Sequence, residues 1–280
     1  MKEKSSSNLE KNGSKTKASK IAIPIAVTAV SFAAIFVRLS DSHPLNIAFY
    51  RMFFSASILA LFLPRFADEL KQISKREWML LTSTGFFLAL HMAFWVLSLD
   101  YTSVASSVVL VTSHPLLVTW ISGWYLGEKA DRRIYVGIII ALIGILTMAT
   151  SDYQLSGWTF FGDLLALFGM VMMSGYIIRG RQMSILPYSF TVYGLSSVFL
   201  LILALPLSNP LQIYPQKEYL LFLALAVIPT MLGHTVYNWA LEFVQARVVS
   251  ISLLGEPIGA SLLAFVLLEE VPPKLTILGA

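Results

Sequence analysis

The sequence predicts an all-α membrane protein, and more narrowly a ten-helix inverted-repeat bundle of five plus five helices. Three observations predict it. Of the 280 residues, 56% are hydrophobic and only 13% charged, where a soluble domain carries about a quarter charged residues. The apolar residues gather in stretches of about 20, the length that crosses a hydrocarbon core about 30 Å thick. The second half of the chain repeats the order of spans, prolines and loop carboxylates of the first. Stretches of this length must be helices, because in lipid the backbone can satisfy its hydrogen bonds only within itself or in a closed barrel. The alternating ten-residue segments of a barrel are absent.

Residues 1–20, rich in Ser, Lys and Asn, read as a disordered tail. Nine spans follow, at about 21–39, 44–63, 78–98, 102–126, 133–150, 160–179, 187–206, 219–241 and 246–268. A tenth apolar stretch opens at Val271, and the chain stops at Ala280, inside what the repeat makes a full span. The tenth helix is therefore expected to be truncated. The first apolar run is too long for a signal-peptide core.

Orientation follows from Lys and Arg. With the N-terminus in the cytoplasm, the tail lysines, Arg65, Lys71, Lys75, Arg76, Lys129, Arg132, Arg133, Arg179, Arg181 and Arg247 all lie inside. Only Arg38, Lys217 and Lys274 lie outside. That asymmetry is the positive-inside pattern. It accounts for the net charge of +4 with no nucleic-acid partner. There are no cysteines, so disulfides and thiolate metal sites are excluded.

A shift of 142 residues carries Leu99, Pro115, Leu126, Glu128 and Gly137 onto Leu241, Pro257, Leu268, Glu270 and Gly279. The first unit, 21–150, contains five spans, an odd number, so the second, 157–280, enters the membrane upside down. Inverted repeats place a substrate site near the midplane between the halves.

Ionisable groups at that depth are costly and face a cavity or a partner. They are Arg51 in span 2, His91 in span 3, His114 in span 4, His234 in span 8 and Glu256 in span 9. His114 and Glu256 are symmetry mates, and each precedes a proline. Pro115 and Pro257 cannot donate to the carbonyls of Val111 and Leu253, so both helices should bend there. His91, Trp95 and Ser98 share one helix face, as do His234, Tyr237 and Asn238. Aromatic walls with few polar groups suit a small amphipathic or aromatic ligand. The candidate binding or coupling residues are thus Glu256, His114, His91, His234, Arg51, Trp95, Tyr237 and Asn238. Interhelical glue and aromatic packing are the alternative readings of each. Arg51 can neutralise a substrate carboxylate, pair with Glu256 or cap carbonyls. Arg38, at the end of span 1, should snorkel to headgroups. Asp163 should sit at a helix N-terminus for structural reasons.

No H-E-x-x-H, G-x-S-x-G or Walker A sequence occurs, and no catalytic residue, cofactor or metal site is expected. Any transport is then downhill or coupled to an ion gradient, and the histidines with Glu256 leave proton coupling open.

These features resemble the drug/metabolite transporter superfamily, in its EamA-type branch. The resemblance is carried by SFAAIFVRLSDSHPLNIAFYRMFF, by HMAFWVLSLDYTSVASSVVLVTSHPLL running to LGEK, by GDLLALFGMVMMSGY and by SLLGEPIGASLLAFVLLEE. It implies ten helices with both termini cytoplasmic, and a central cavity lined by spans 1–4 and 6–9. It further implies export of amino acids or other metabolites across the plasma membrane by alternating access. Arg51, Pro115, Glu128, Pro257 and Glu270 match the family as fold markers. A lipid-linked carrier or flippase on the same scaffold, and a membrane-embedded enzyme, are the competing expectations. Substrate, direction, coupling ion and oligomeric state are not written in the sequence.

Overall fold

A computed structural model describes residues 22–125, 132–179, 184–240, 252 and 255–280. Every regular element among the described residues is helical. The long elements are α1 (Ala22–Leu39), α2 (Pro44–Ala60), α3 (Lys75–Ser98), α4 (Val104–Thr112), α5 (His114–Tyr125), α6 (Arg132–Leu155), α7 (Gly157–Arg179) and α8 (Ile185–Ala204). They continue with α9 (Gln216–Ala240), α10 (Gly255–Leu268) and the short α11 (Lys274–Gly279). By length and apolarity, α1, α3, α8, α9 and the Gly157–Ile177 part of α7 can each cross a membrane. The protein is accordingly a multi-pass helical membrane protein.

Local chemistry sets the helix ends. His43 caps α2, its Nδ1 accepting the Leu45 N–H at 3.2 Å, with Pro44 at the first helical position. There proline's missing donor costs nothing. Ser74 and Glu77 form a reciprocal capping box on α3. Ser103 caps α4 through the Ser106 N–H at 3.0 Å. The chain turns at Ser113 and restarts as α5 at His114–Pro115. The break sits two residues ahead of the proline, where the Thr112 and Ser113 hydroxyls fold back onto the Val108 and Val109 carbonyls. Leu253, on the N-terminal side of Pro257, lies outside the described residues, as does Glu128.

α10 ends at Glu269, whose φ of 56° is left-handed. The Glu270 N–H then reaches back to the Ala264 carbonyl at 3.2 Å, the six-to-one bond of a Schellman ending. This turn aims the Glu270 carboxylate at the start of α4, where it accepts the Val104 N–H at 2.6 Å. It also lies 3.5 Å from Arg38, and Arg38 donates to the Thr102 carbonyl at 3.0 Å. Arg38 is exposed at the helix end and also holds neighbouring elements. It ties the end of α1 to the α3–α4 turn and to the end of α10.

α3 packs along α7, and α8 packs along both α2 and α3. α4 lies between α7 and α10, α1 packs on α9 and α10, and α11 packs on α6. Small residues let these backbones approach. A Cβ on Gly162 of α7 would stand 2.8 Å from the Thr102 nitrogen and 2.8 Å from the Tyr101 Cβ. The obstructing atoms are backbone and a helix-turn Cβ, which cannot yield. Gly162→Leu is therefore expected to destabilise the protein by about 2 kcal/mol or more. Gly137→Leu, which meets open space, should be neutral. Thermal unfolding of both variants in detergent checks the contrast.

Candidate functional site

The polar residues singled out from the sequence converge where α2, α3, α5, α9 and α10 meet. Arg51 is the largest fully buried side chain, with 0% exposure. Its Nε donates to Thr230 Oγ1 at 2.9 Å, and its guanidinium lies over the Trp95 ring, 5.4 Å from the centroid, a cation–π arrangement. Its Nη1 and Nη2 have no hydrogen-bond partner among the described residues. Arg51 and Glu256 feel each other's charge without closing into a salt bridge. Of the readings open for Arg51, direct pairing with Glu256 is not what the structure contains.

Trp95 is buried on α3, its ring parallel to His91 at 6.5 Å. His91 is fixed by a 2.9 Å bond from Nδ1 to the Gly169 carbonyl of α7. A carbonyl only accepts, so Nδ1 carries the proton and Nε2 is the free acceptor. His114 is buried at the start of α5 with Nδ1 unpartnered. On α10, Glu256 is buried in the first turn of the described helix. The carbonyl of Glu256 lies 3.5 Å from the Ser31 hydroxyl. Ser98, on the same face as His91 and Trp95, turns instead to the Ser107 hydroxyl of α4 at 2.7 Å, a contact between helices.

α9 supplies the opposite wall, and its middle is not α-helical. Ala226–Thr235 is wound as a π-helix around Pro229. The hydroxyl of Thr230 donates to the carbonyl five residues back, Leu225, at 2.9 Å. Thr235 does the same to Thr230 at 3.0 Å. Proline cannot continue the ordinary ladder, and π winding at such a point is common at functional sites. The winding sets Thr230 beneath Arg51 and brings Thr235 within 3.1 Å of the Tyr193 hydroxyl on α8. His234 lies in this segment, partly buried, and the charges of Arg51, His91 and His114 all act on it. Tyr237 is buried with its hydroxyl unpartnered, near Glu256. Asn238 donates to the Tyr176 hydroxyl at 3.3 Å.

Seven of the eight candidate residues, contributed by both halves of the chain, thus gather around Arg51, while Asn238 reaches Tyr176 of α7. The sequence reading did not find Thr230, Tyr193 or Thr235. Pro229, a proline inside an otherwise uniform apolar run, was the available signal. Among the described residues, no three metal-ligating side chains cluster. Among the described residues, Arg51 Nη1 and Nη2, Trp95 Nε1, Tyr237 Oη and His114 Nδ1 in this region are buried without partners. Buried donors without acceptors are costly, and an anionic or acceptor-bearing guest would satisfy them.

The comparisons with known proteins agree with this architecture. The family model described as the EamA-like transporter family matches the chain twice, over residues 19–150 and 160–280. An uncharacterized transporter of Archaeoglobus fulgidus is 28% identical over 270 residues, covering 92% of this chain and 91% of that one. The pseudopaline exporter CntI of Pseudomonas aeruginosa strain UCBPP-PA14 is 23% identical over 210 residues, covering 74% and 72%. The uncharacterized transporter YdfC of Bacillus subtilis is 23% identical over 264 residues, covering 91% and 84%. A solved crystal structure superposes with a TM-score of 0.67 at 16% identity, covering 94% of this chain and 93% of that one.

Proposed function

We propose a transport role for this chain, which belongs to the EamA-like transporter family: it is a secondary transporter exporting a small polar or amphipathic, amino-acid-like metabolite. The observation that carries this reading is Arg51, a fully buried cation whose two terminal nitrogens meet no acceptor among the described residues. A buried cation without a paired carboxylate is costly, so its retention fits a site whose partner comes and goes. A substrate carboxylate would take the Arg51 Nη donors, with Trp95 and Tyr237 walling the pocket. Glu256 would face a substrate ammonium group or carry the coupled proton. His91, His114, His234 and Asn238 would complete the lining. Similarity to a relative named as an exporter of pseudopaline favours outward movement across the plasma membrane.

The mechanism in this reading is alternating access between inverted halves, 21–150 and 157–280, with residues 1–20 in the cytoplasm. The helix pairing supports it. With the halves related by a twofold in the membrane plane, α3 on α7 mirrors α9 on α1, and α3 on α8 mirrors α9 on α2. Likewise α4 on α7 mirrors α10 on α1, while α2 with α8, α4 with α10 and α6 with α11 pair across the axis. Helix bends at Pro115 and Pro257 would let each half rock about the central site.

Purified full chain in liposomes, assayed with a panel of labelled amino acids and related zwitterions with and without a pH gradient, tests the proposal. Saturable flux competed by zwitterions is expected. Absence of flux across the panel, or lipid scrambling in place of solute flux, would overturn it.

A further inference from the structure

A second polar cluster lies away from the central site, at the Arg38 end of the bundle. Asp152, near the end of α6, and Asp163, in the second turn of α7, are each 1% exposed. Asp152 Oδ2 accepts from Ser106 on α4 at 2.5 Å, and its Oδ1 accepts from Thr276 on α11 at 3.2 Å. Asp163 Oδ1 accepts from Thr102 at 2.8 Å. Three hydroxyls therefore serve three of the four carboxyl oxygens. The fourth, Asp163 Oδ2, is buried and has no donor. Its neighbour is the carboxyl of Asp152.

Among the described residues neither aspartate is in an ion pair. α4 presents Ser106 and the preceding turn presents Thr102. α11 presents Thr276, with Lys274 two residues earlier making no contact to either carboxyl. From α6, Tyr153 is exposed. Arg38 reaches this region, but it binds the Thr102 carbonyl and Glu270. Asp100, exposed in the α3–α4 turn, faces the charges of Arg38 and His43. Two adjacent buried carboxylates cannot both remain ionised without a counterion.

We propose that Asp152 and Asp163 bind one proton between them, carried on Asp163 Oδ2 and donated to Asp152, forming a proton-binding site distinct from the central cluster. The shared proton supplies the single donor the geometry lacks. It fastens α4, α6, α7 and α11 together at one end of the bundle. Its release places two negative charges in contact and loosens the hold on α4, the helix that leads to Ser113 and His114. A link between this release and the transport cycle would rest on the reading above; the proton sharing itself does not.

Infrared spectroscopy of the full chain in nanodiscs tests the site without any flux measurement. At neutral pH the wild type should show the carbonyl stretch of a buried protonated carboxyl, shifted in heavy water and lost as pH is raised. Asp163→Asn and Asp152→Asn should each remove it, Asp163→Glu should move its frequency, and Glu256→Gln should leave it in place. The thermal stability of the wild type should fall as pH rises through that titration, and the stability of Asp163→Asn should not. Absence of the band in the wild type, or its survival in both Asn variants, would overturn the proposal. So would stability that follows sodium concentration at fixed pH, since a bound cation would then hold the pair. If the Asn variants fail to fold, the wild-type titration and the Asp163→Glu shift decide.

Discussion

Arg51→Met is expected to leave a folded protein that no longer transports. Thr230 loses one donor, but its hydroxyl still serves the Leu225 carbonyl, so that hydroxyl is not orphaned. The cation–π contact with Trp95 goes, at about 1 kcal/mol. Against this, a buried charge without an acceptor is removed, and apolar replacement of buried charges is often neutral or stabilising by about 1–4 kcal/mol. The melting temperature should therefore hold or rise. Flux should fall about 100-fold, the loss of a charge-assisted contact worth about 3 kcal/mol. Arg51→Lys should recover little, because a lysine has no planar fork for a carboxylate. The measurement is paired: thermal unfolding and liposome flux on the same preparation. A variant that loses stability and flux in parallel would make Arg51 a structural charge.

Glu256→Gln should have the second largest effect, and of a different kind. Gln matches Glu in shape and stays neutral, so burial at this position is retained without the ionisable group. Substrate exchange with no gradient should persist within a few-fold of wild type. The acceleration that a pH gradient gives the wild type should vanish. Zwitterionic substrates should weaken more than substrates lacking an amine, because the carboxylate facing the ammonium group is gone. Gradient-driven flux equal to wild type would remove Glu256 from any coupling role.

Much of this structure was legible in the sequence, and the reasons are physical. The spans were visible because lipid demands apolar length, and each predicted span overlaps a helix among the described residues. His114–Pro115 signalled an interrupted helix, because proline removes a donor wherever it sits. The ionisable groups could be gathered as one set because few residues of that kind exist at membrane depth, and the repeat paired His114 with Glu256. What could not be read was partnership. Arg38 at a span end looks like any snorkelling cation until the α10 ending brings Glu270 to it. Asp163 looked like a lone N-terminal carboxylate because its neighbour Asp152 lay beyond the estimated end of span 5. α6 continues to Leu155, and that extra turn carries Asp152 into the bundle. Thr230 and Thr235 were invisible because hydropathy averages over a segment and does not report how it is wound.

That winding sets how far α9 reaches. Over Ala226–Thr235 the backbone is wider, and shorter along its axis, than an α-helix of the same residues, which rises about 1.5 Å per residue. Converting π turns to α turns would lengthen the span and rotate everything beyond it, Tyr237 and Asn238 included, while both flanking helical ends kept their own hydrogen bonds. Pro229 holds the short form, and the Thr230 hydroxyl, shared between the Leu225 carbonyl and Arg51, is its catch. The hydroxyl at the middle of that coil rests against the buried Arg51 guanidinium, so the winding that sets the reach of the span is tied to the same side chain.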